Sequence, residues 1–172
     1  MARILIVEDE TVLADAMADG LRAAGHTAQT VYAGEKALAA FREFVPDIVL
    51  LDVRLGAVSG LDLLPVFKAD SPELPVIILT AYGSVEVAVE AMKRGASEFL
   101  TKPVDLDVLA VTVDKVLATS AAKRRLGQFE AAQQERLRHT QLVGQCPAIL
   151  QIQELVDRLA ARSAASDAAP AT

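Results

Sequence analysis

DIVLLDVRLG, residues 47–56, decides how the rest of the chain is read. Ile48 to Leu51 is a continuous apolar run, the pattern of a strand buried on both faces in a parallel sheet. The run ends on Asp52, and Gly56 and Gly60 mark a loop beyond it. Open α/β sheets carry their chemistry at the C-terminal ends of their strands, which is where Asp52 stands. Taken singly, Asp52 reads more simply as a helix-cap or turn aspartate. Three other strand ends bear on that choice.

Upstream, Arg3 to Val7 reads as a first buried strand running into Glu8 and Asp9. Val12, Leu13, Ala16, Met17 and Leu21 recur at helical spacing, with Gly25 as a stop. Ala28 to Tyr32 is a weak second strand, and Glu35 to Phe44 a second helix closed by Pro46. Downstream of Asp52, a helix spans about Leu61 to Lys68. Pro75 opens a further buried strand, PVIILT, which ends on Thr80. Ser84 can cap a helix whose apolar side carries Val85, Ala88, Val89 and Met92, with Gly95 at its end. Glu98 to Leu100 is a short fifth strand leading into Thr101, Lys102 and Pro103. Asp105 caps a fifth helix that turns Leu106, Leu109, Val113 and Val116 inward. Five strand-then-helix repeats with short loops predict an α/β fold, a doubly wound five-stranded parallel sheet with a C-terminal helical extension.

Beyond about Leu117 the composition shifts. Residues 118–139 are rich in Ala, Gln, Glu and Arg, with Leu126, Phe129 and Leu137 the large apolar residues, and read as a mostly solvated helix interrupted or weakened at Gly127. No clean heptad runs through it. Leu142 to Ala161 reads as another amphipathic helix, and the tail RSAASDAAPAT is low-complexity.

The 172 residues are 52% hydrophobic and 23% charged, with a net charge of −6. That balance fits one globular domain with an appendage and argues against a basic nucleic-acid surface. One cysteine, Cys146, excludes an intramolecular disulfide and fits a reducing, cytoplasmic compartment. No apolar run approaches a membrane span or a signal-peptide core, so no membrane role is expected.

In such a sheet all strand C-termini share one edge. Glu8, Asp9, Asp52, Thr80 and Lys102 then converge from four strands. Two carboxylates about 4 Å apart repel by ~4 kcal/mol at an effective dielectric near 20, so the cluster calls for a cation. Mg²⁺ is the natural occupant of an all-oxygen site. Phosphoryl transfer to a carboxylate suits these parts, with Asp52 as nucleophile and Lys102 and the Thr80 hydroxyl positioning phosphoryl oxygens. Each residue has a plainer reading: an exposed lysine, a strand-end hydroxyl, an acidic pair at a helix N-terminus.

VEDE at 7–10, LLDVRL at 50–55, LTAYG at 79–83 and LTKPVD at 100–105 resemble the receiver domain of bacterial two-component response regulators. The resemblance covers about Arg3 to Leu117. It implies strand order 2-1-3-4-5 and Asp52 as phosphoacceptor from a histidine kinase. It implies Mg²⁺ bound by Asp9, Asp52 and the backbone carbonyl of Arg54, with Glu8 acting through water. Thr80 and Phe99 would be the switch pair, and Lys102-Pro103 would carry a cis peptide. Glu8 stands where many members have Asp, and Phe99 where some have Tyr.

The stretch TAYGSVEVAVEAMKRGASEFLTKPVD looks most like the NtrC/DctD-type subgroup, and LVGQCPAILQIQELVDRLAA resembles the opening of its AAA+ ATPase domain. The implied domains are a receiver at 1–118, a linker helix at 119–140, and a truncated ATPase segment with a disordered tail at 141–172. No G-x-x-x-x-G-K-[ST] loop and no DNA-reading helix-turn-helix occurs in the sequence, so neither ATPase activity nor direct DNA binding is expected. A homodimer through the fourth helix, fifth strand, fifth helix and linker is expected, its equilibrium shifted by phosphate. Three other readings compete. A phosphatase using Asp52 lacks a second carboxylate at Val53 or Arg54, and a flavin or nucleotide binder lacks a phosphate loop after the first strand. A pseudo-receiver serving only dimerisation would have no use for a full set of site residues.

Overall fold

The computed structural model describes residues 1–81 and 85–143. Its main sheet is built from β1 (Arg3–Val7), β2 (Thr27–Val31), β3 (Ile48–Asp52), β6 (Val76–Thr80) and β7 (Glu98–Thr101). All pairings are parallel, in the order β2-β1-β3-β6-β7. Counting main-sheet strands alone, this is the expected 2-1-3-4-5. A two-stranded antiparallel hairpin, β4 (Arg54–Leu55) and β5 (Val58–Ser59), fills what the sequence reads as a plain loop.

The period of two along each central strand sorts the core into two layers. Leu5, Val7, Val49, Leu51, Val76 and Ile78 pack on one side with Phe41 of α2 (Gly34–Phe44) and Leu64 and Phe67 of α3 (Gly60–Asp70). Ala91 of α4 (Val85–Lys93) joins that layer. Ile4, Ile6, Ile48, Leu50, Ile77 and Leu79 pack on the other, with α1 (Thr11–Ala23) and α5 (Leu106–Val143). The central strands have no polar face because both faces are covered.

Three sequence expectations about helices are corrected. In α4 the buried residue is Ala91, while Val85, Val89 and Met92 are 73%, 45% and 48% exposed. Where this helix lies against the sheet, its buried side chain is a methyl group, and these three larger side chains are exposed. In α1 the inward set is Ala14, Met17, Ala18 and Leu21, with Val12 exposed and Ala16 off the buried face. In α5 Leu109, Val113 and Val116 are buried as expected, but Leu106 at the first turn is half-exposed. Asp105 does cap α5, its Oδ1 accepting from the amides of Asp107 at 2.9 Å and Val108 at 3.2 Å.

The last helix is continuous from Leu106 to Val143 and does not break at Gly127. One glycine costs about 1 kcal/mol against alanine, and the strong helix formers around it carry the helix across. The Ser84 cap and, beyond Val143, the helix read over 142–161 and the tail lie outside the described residues. No helix among the described residues is long and apolar enough to cross a membrane.

Two local features fix α3 beneath the loop that follows Asp52. Pro65, inside the helix, has no N–H to give to the Leu61 carbonyl. Arg94 supplies that bond, donating to Leu61 O at 2.9 Å and to Asp62 Oδ1 at 2.8 Å. Gly60 opens the helix, its amide donating to Val53 O at 2.8 Å, and a Cβ there would run into the Asp52 carbonyl oxygen. Gly60→Ala should therefore destabilise by ~1–3 kcal/mol, because backbone must shift to make room. Gly127→Ala, at an exposed helical position with open space around it, should stabilise by up to ~1 kcal/mol. Chemical denaturation of the two variants checks this, and equal midpoints would contradict it.

Candidate phosphoryl-transfer site

Alternation sets the faces of the site residues before any long-range contact is considered. Continuing Ile4 and Ile6 places Glu8 on the α1/α5 side, and continuing Ile48 and Leu50 places Asp52 there too. Thr80 continues Val76 and Ile78 on the opposite side. Phe99, in register with Ile78, is half-buried against that same layer. Thr80 and Phe99 therefore share one face of the sheet, on neighbouring strands.

Backbone bonds tie the strand ends together. Glu8 N donates to Val31 O at 3.0 Å, Val53 N to Leu79 O at 2.9 Å, and Lys102 N to Thr80 O at 2.8 Å. The Lys102-Pro103 peptide is cis. Held this way, the Lys102 ammonium lies 2.7 Å from Asp52 Oδ2 and donates to Glu8 Oε1, also at 2.7 Å. The second oxygen of Asp52, Oδ1, accepts from the Arg54 amide at 3.2 Å. Asp9 is exposed, and its Oδ2 accepts from the Gly56 amide of the hairpin at 3.0 Å. Reading the sequence alone misses this tether. Its one local signal is Gly56 itself, which sits at φ 62.

Glu8, Asp52 and Thr80 are the buried polar or charged residues among those described. Burial, opposed by the Lys102 hydrogen bond and reinforced by the Asp52 charge, pushes the Glu8 carboxyl up to about 7. Burial pulls the Lys102 ammonium down, but its bonds to Asp52 and Glu8 prevail and leave it raised. Glu8 Oε2 is buried without a hydrogen bond, although the ammonium is 2.7 Å away, because that approach is poorly directed for one.

Glu8, Asp9 and Asp52 each offer a carboxylate oxygen, all within 4.8 Å of one another. An all-oxygen set that includes an orphaned buried acceptor fits a hard divalent cation. A pH dependence follows. Folded Glu8 keeps its proton to about pH 7, against 4.5 for an ordinary glutamate. Its contribution to metal-free stability is complete below pH 4.5 and is lost as pH rises through 7, by about 3 kcal/mol. Glu8→Gln should flatten this part of the profile. Parallel urea-denaturation profiles for the two proteins from pH 4.5 to 8 would contradict the assignment.

Residues 4–114 match the family described as the response regulator receiver domain. The chain belongs to that family. The receiver domain is similar to the transcriptional regulatory protein ZraR of Salmonella typhimurium, 42% identical over 131 residues, which are 76% of this chain and 30% of ZraR. It is also similar to the nitrogen assimilation regulatory protein NtrX of Azorhizobium caulinodans, 35% identical over 158 residues, 91% of this chain and 34% of NtrX. The crystal structure of NtrX from Brucella abortus superposes with a TM-score of 0.72 at 34% identity, over 91% of this chain and 34% of that one. The chain thus spans about a third of the length of the curated relatives it matches.

Proposed function

We propose that this receiver takes a phosphoryl group from a histidine kinase onto Asp52 in a Mg²⁺-dependent reaction and thereby switches an output function. The observation that carries the reading is the buried Asp52 carboxylate, bonded by Lys102 on one oxygen and by the Arg54 amide on the other, beside two more carboxylates. A carboxylate oxygen of Asp52 attacks phosphorus. The P–N bond of a phosphohistidine breaks as the P–O bond forms, and its electron pair returns to the imidazole. Asp9, Asp52 and the Arg54 carbonyl would hold Mg²⁺, with Glu8 acting through water, and the ion would neutralise charge on the transferring oxygens. Lys102, already against Asp52, is placed to hold a phosphoryl oxygen of the product. The Thr80 hydroxyl takes another by moving inward, and Phe99 follows into the space it leaves. The domain is a phosphoacceptor switch, and its own chemistry is limited to phosphorylation and dephosphorylation of Asp52.

The rest of the proposal concerns organisation. Residues 1–118 form the receiver, 119–140 a linker helix, and 141–172 the opening of an AAA+ segment of the NtrC/DctD type. The protein works in the cytoplasm, where kinase and nucleotide pools lie. Exposed Val85, Val89 and Met92 of α4 and Val108 and Val111 of α5 support a homodimer through α4, β7, α5 and the linker.

Acetyl phosphate tests the central reading. The protein should acquire one phosphoryl group only with Mg²⁺ present, as an acyl phosphate cleaved by hydroxylamine and mapped to the peptide holding Asp52. Labelling that ignores Mg²⁺, or maps to another residue, would overturn it.

A further inference from the structure

A cavity of about 450 Å³ opens at the edge of the sheet opposite the Asp52 site. It lies at the N-terminal ends of β6 and β7, between the end of α3 and the middle of α5. Five residues of β6 separate the two edges, roughly 15 Å at the usual strand rise. The volume is in the range of small-molecule sites. Lys68, Lys115 and Lys123 line it from two helices, together with Ser97 and Ser120.

The state of these groups is informative. Lys68 is half-buried, and among the described residues its ammonium makes one hydrogen bond, to Leu74 O at 2.6 Å, out of three it can donate. Burial holds it below its ordinary pKa, Glu73 offsets part of that, and the charge of Lys123 adds to it. Ser97 Oγ accepts from the Val76 amide at 3.4 Å, which leaves its own proton to donate. The two acidic residues of the lining are paired with two of its own lysines. Glu98 pairs with Lys115 at 3.2 Å and Glu73 with Lys123 at 3.7 Å, and both lysines are mostly exposed. Such pairs are loose and exchange readily for a better anion.

We propose that this cavity binds a small polyanion of the phosphate-ester class, its charge set between Lys68, Lys115 and Lys123 and its oxygens accepting from Ser97 and Ser120. A phosphate group offers several acceptor oxygens to the unfilled donors. It also brings negative charge that offsets the cost of burying an ammonium. The ligand would span the α3–β6 junction, the start of β7 and α5, and so brace α5 against the sheet.

The probe is pyrophosphate, titrated without Mg²⁺ and at constant ionic strength into the ¹⁵N-labelled full chain. Saturable amide shifts are expected at Gly95, Ala96, Ser97 and Thr119. Lys68→Gln/Lys123→Gln should weaken binding at least tenfold. Lys115→Gln/Lys123→Gln, which alters exposed side chains alone, should weaken it too while keeping the wild-type spectrum. Lys36→Gln on α2 should leave the affinity unchanged. Shifts that rise without saturating, that appear only around Glu8, Asp9 and Lys102, or that are equal in all variants would overturn the proposal.

Discussion

Asp52→Asn should abolish phosphoryl uptake while leaving the fold in place. The amide keeps the shape of the carboxylate, but its nitrogen lone pair is delocalised and its oxygen is a poor nucleophile. The substitution also removes the negative charge that helps push Glu8 up, so Glu8 ionises more readily and keeps Lys102 as its partner. Stability should stay within about 1 kcal/mol of wild type, because a like-charge repulsion is lost along with one arm of the ion pair. Intact-mass measurement after acetyl phosphate treatment reads the loss, and thermal melting reads the fold. Persistent hydroxylamine-labile label in the variant would place the acceptor elsewhere.

Lys102→Ala should produce the largest stability change of any single substitution at the site. The ammonium is the common partner of Glu8 and Asp52, at 2.7 Å from each, and both carboxylates are buried. Removing one member of a buried pair costs ~3–5 kcal/mol, since the charge left behind has neither water nor partner. At ~2–4 °C per kcal/mol for a chain of this size, the metal-free melting point should fall by roughly 10 °C at neutral pH. Acidification should recover part of the loss, because Glu8 can then take a proton instead of bearing an unpaired charge. Mg²⁺ should recover more, ~2.7 kcal/mol at a hundredfold excess over its dissociation constant. A metal-free midpoint equal to wild type would show that the pair contributes nothing.

What the sequence discloses, and what it hides, follows from how far each signal reaches along the chain. The runs Ile48–Leu51 and Val76–Leu79 announce central parallel strands because burial on both faces removes every polar position, a purely local signature. Strand-end chemistry is legible for the same reason: once the strands are placed, Glu8, Asp52, Thr80 and Lys102 fall on one edge. The hairpin at Arg54–Ser59 carries no such signature, since strands of two residues show no period. Nor does hydrophobicity reveal which side of α4 is inward. Val85, Val89 and Met92 look like a core stripe, yet Ala91 occupies the core. Gly60 reads as an ordinary loop glycine, because the Asp52 carbonyl that forbids a side chain there arrives only through the fold. The double engagement of Lys102 is hidden likewise, being a distance between residues far apart in the chain.

Those separations have a consequence for how the protein comes into being. The contact of Lys102 with Glu8 joins residues 94 positions apart, and its contact with Asp52 joins residues 50 apart. Local structure such as β1–α1–β2 can assemble early, but it contains only the acidic pair at positions 8 and 9. Contacts of such range carry the loop-closure cost of nearly the whole domain and are made late, when non-local pairing completes the sheet. A chain emerging from the ribosome therefore carries Asp52 well before Lys102 can reach it. The grip of Lys102 on both carboxylates is complete only once β7 has paired with β6.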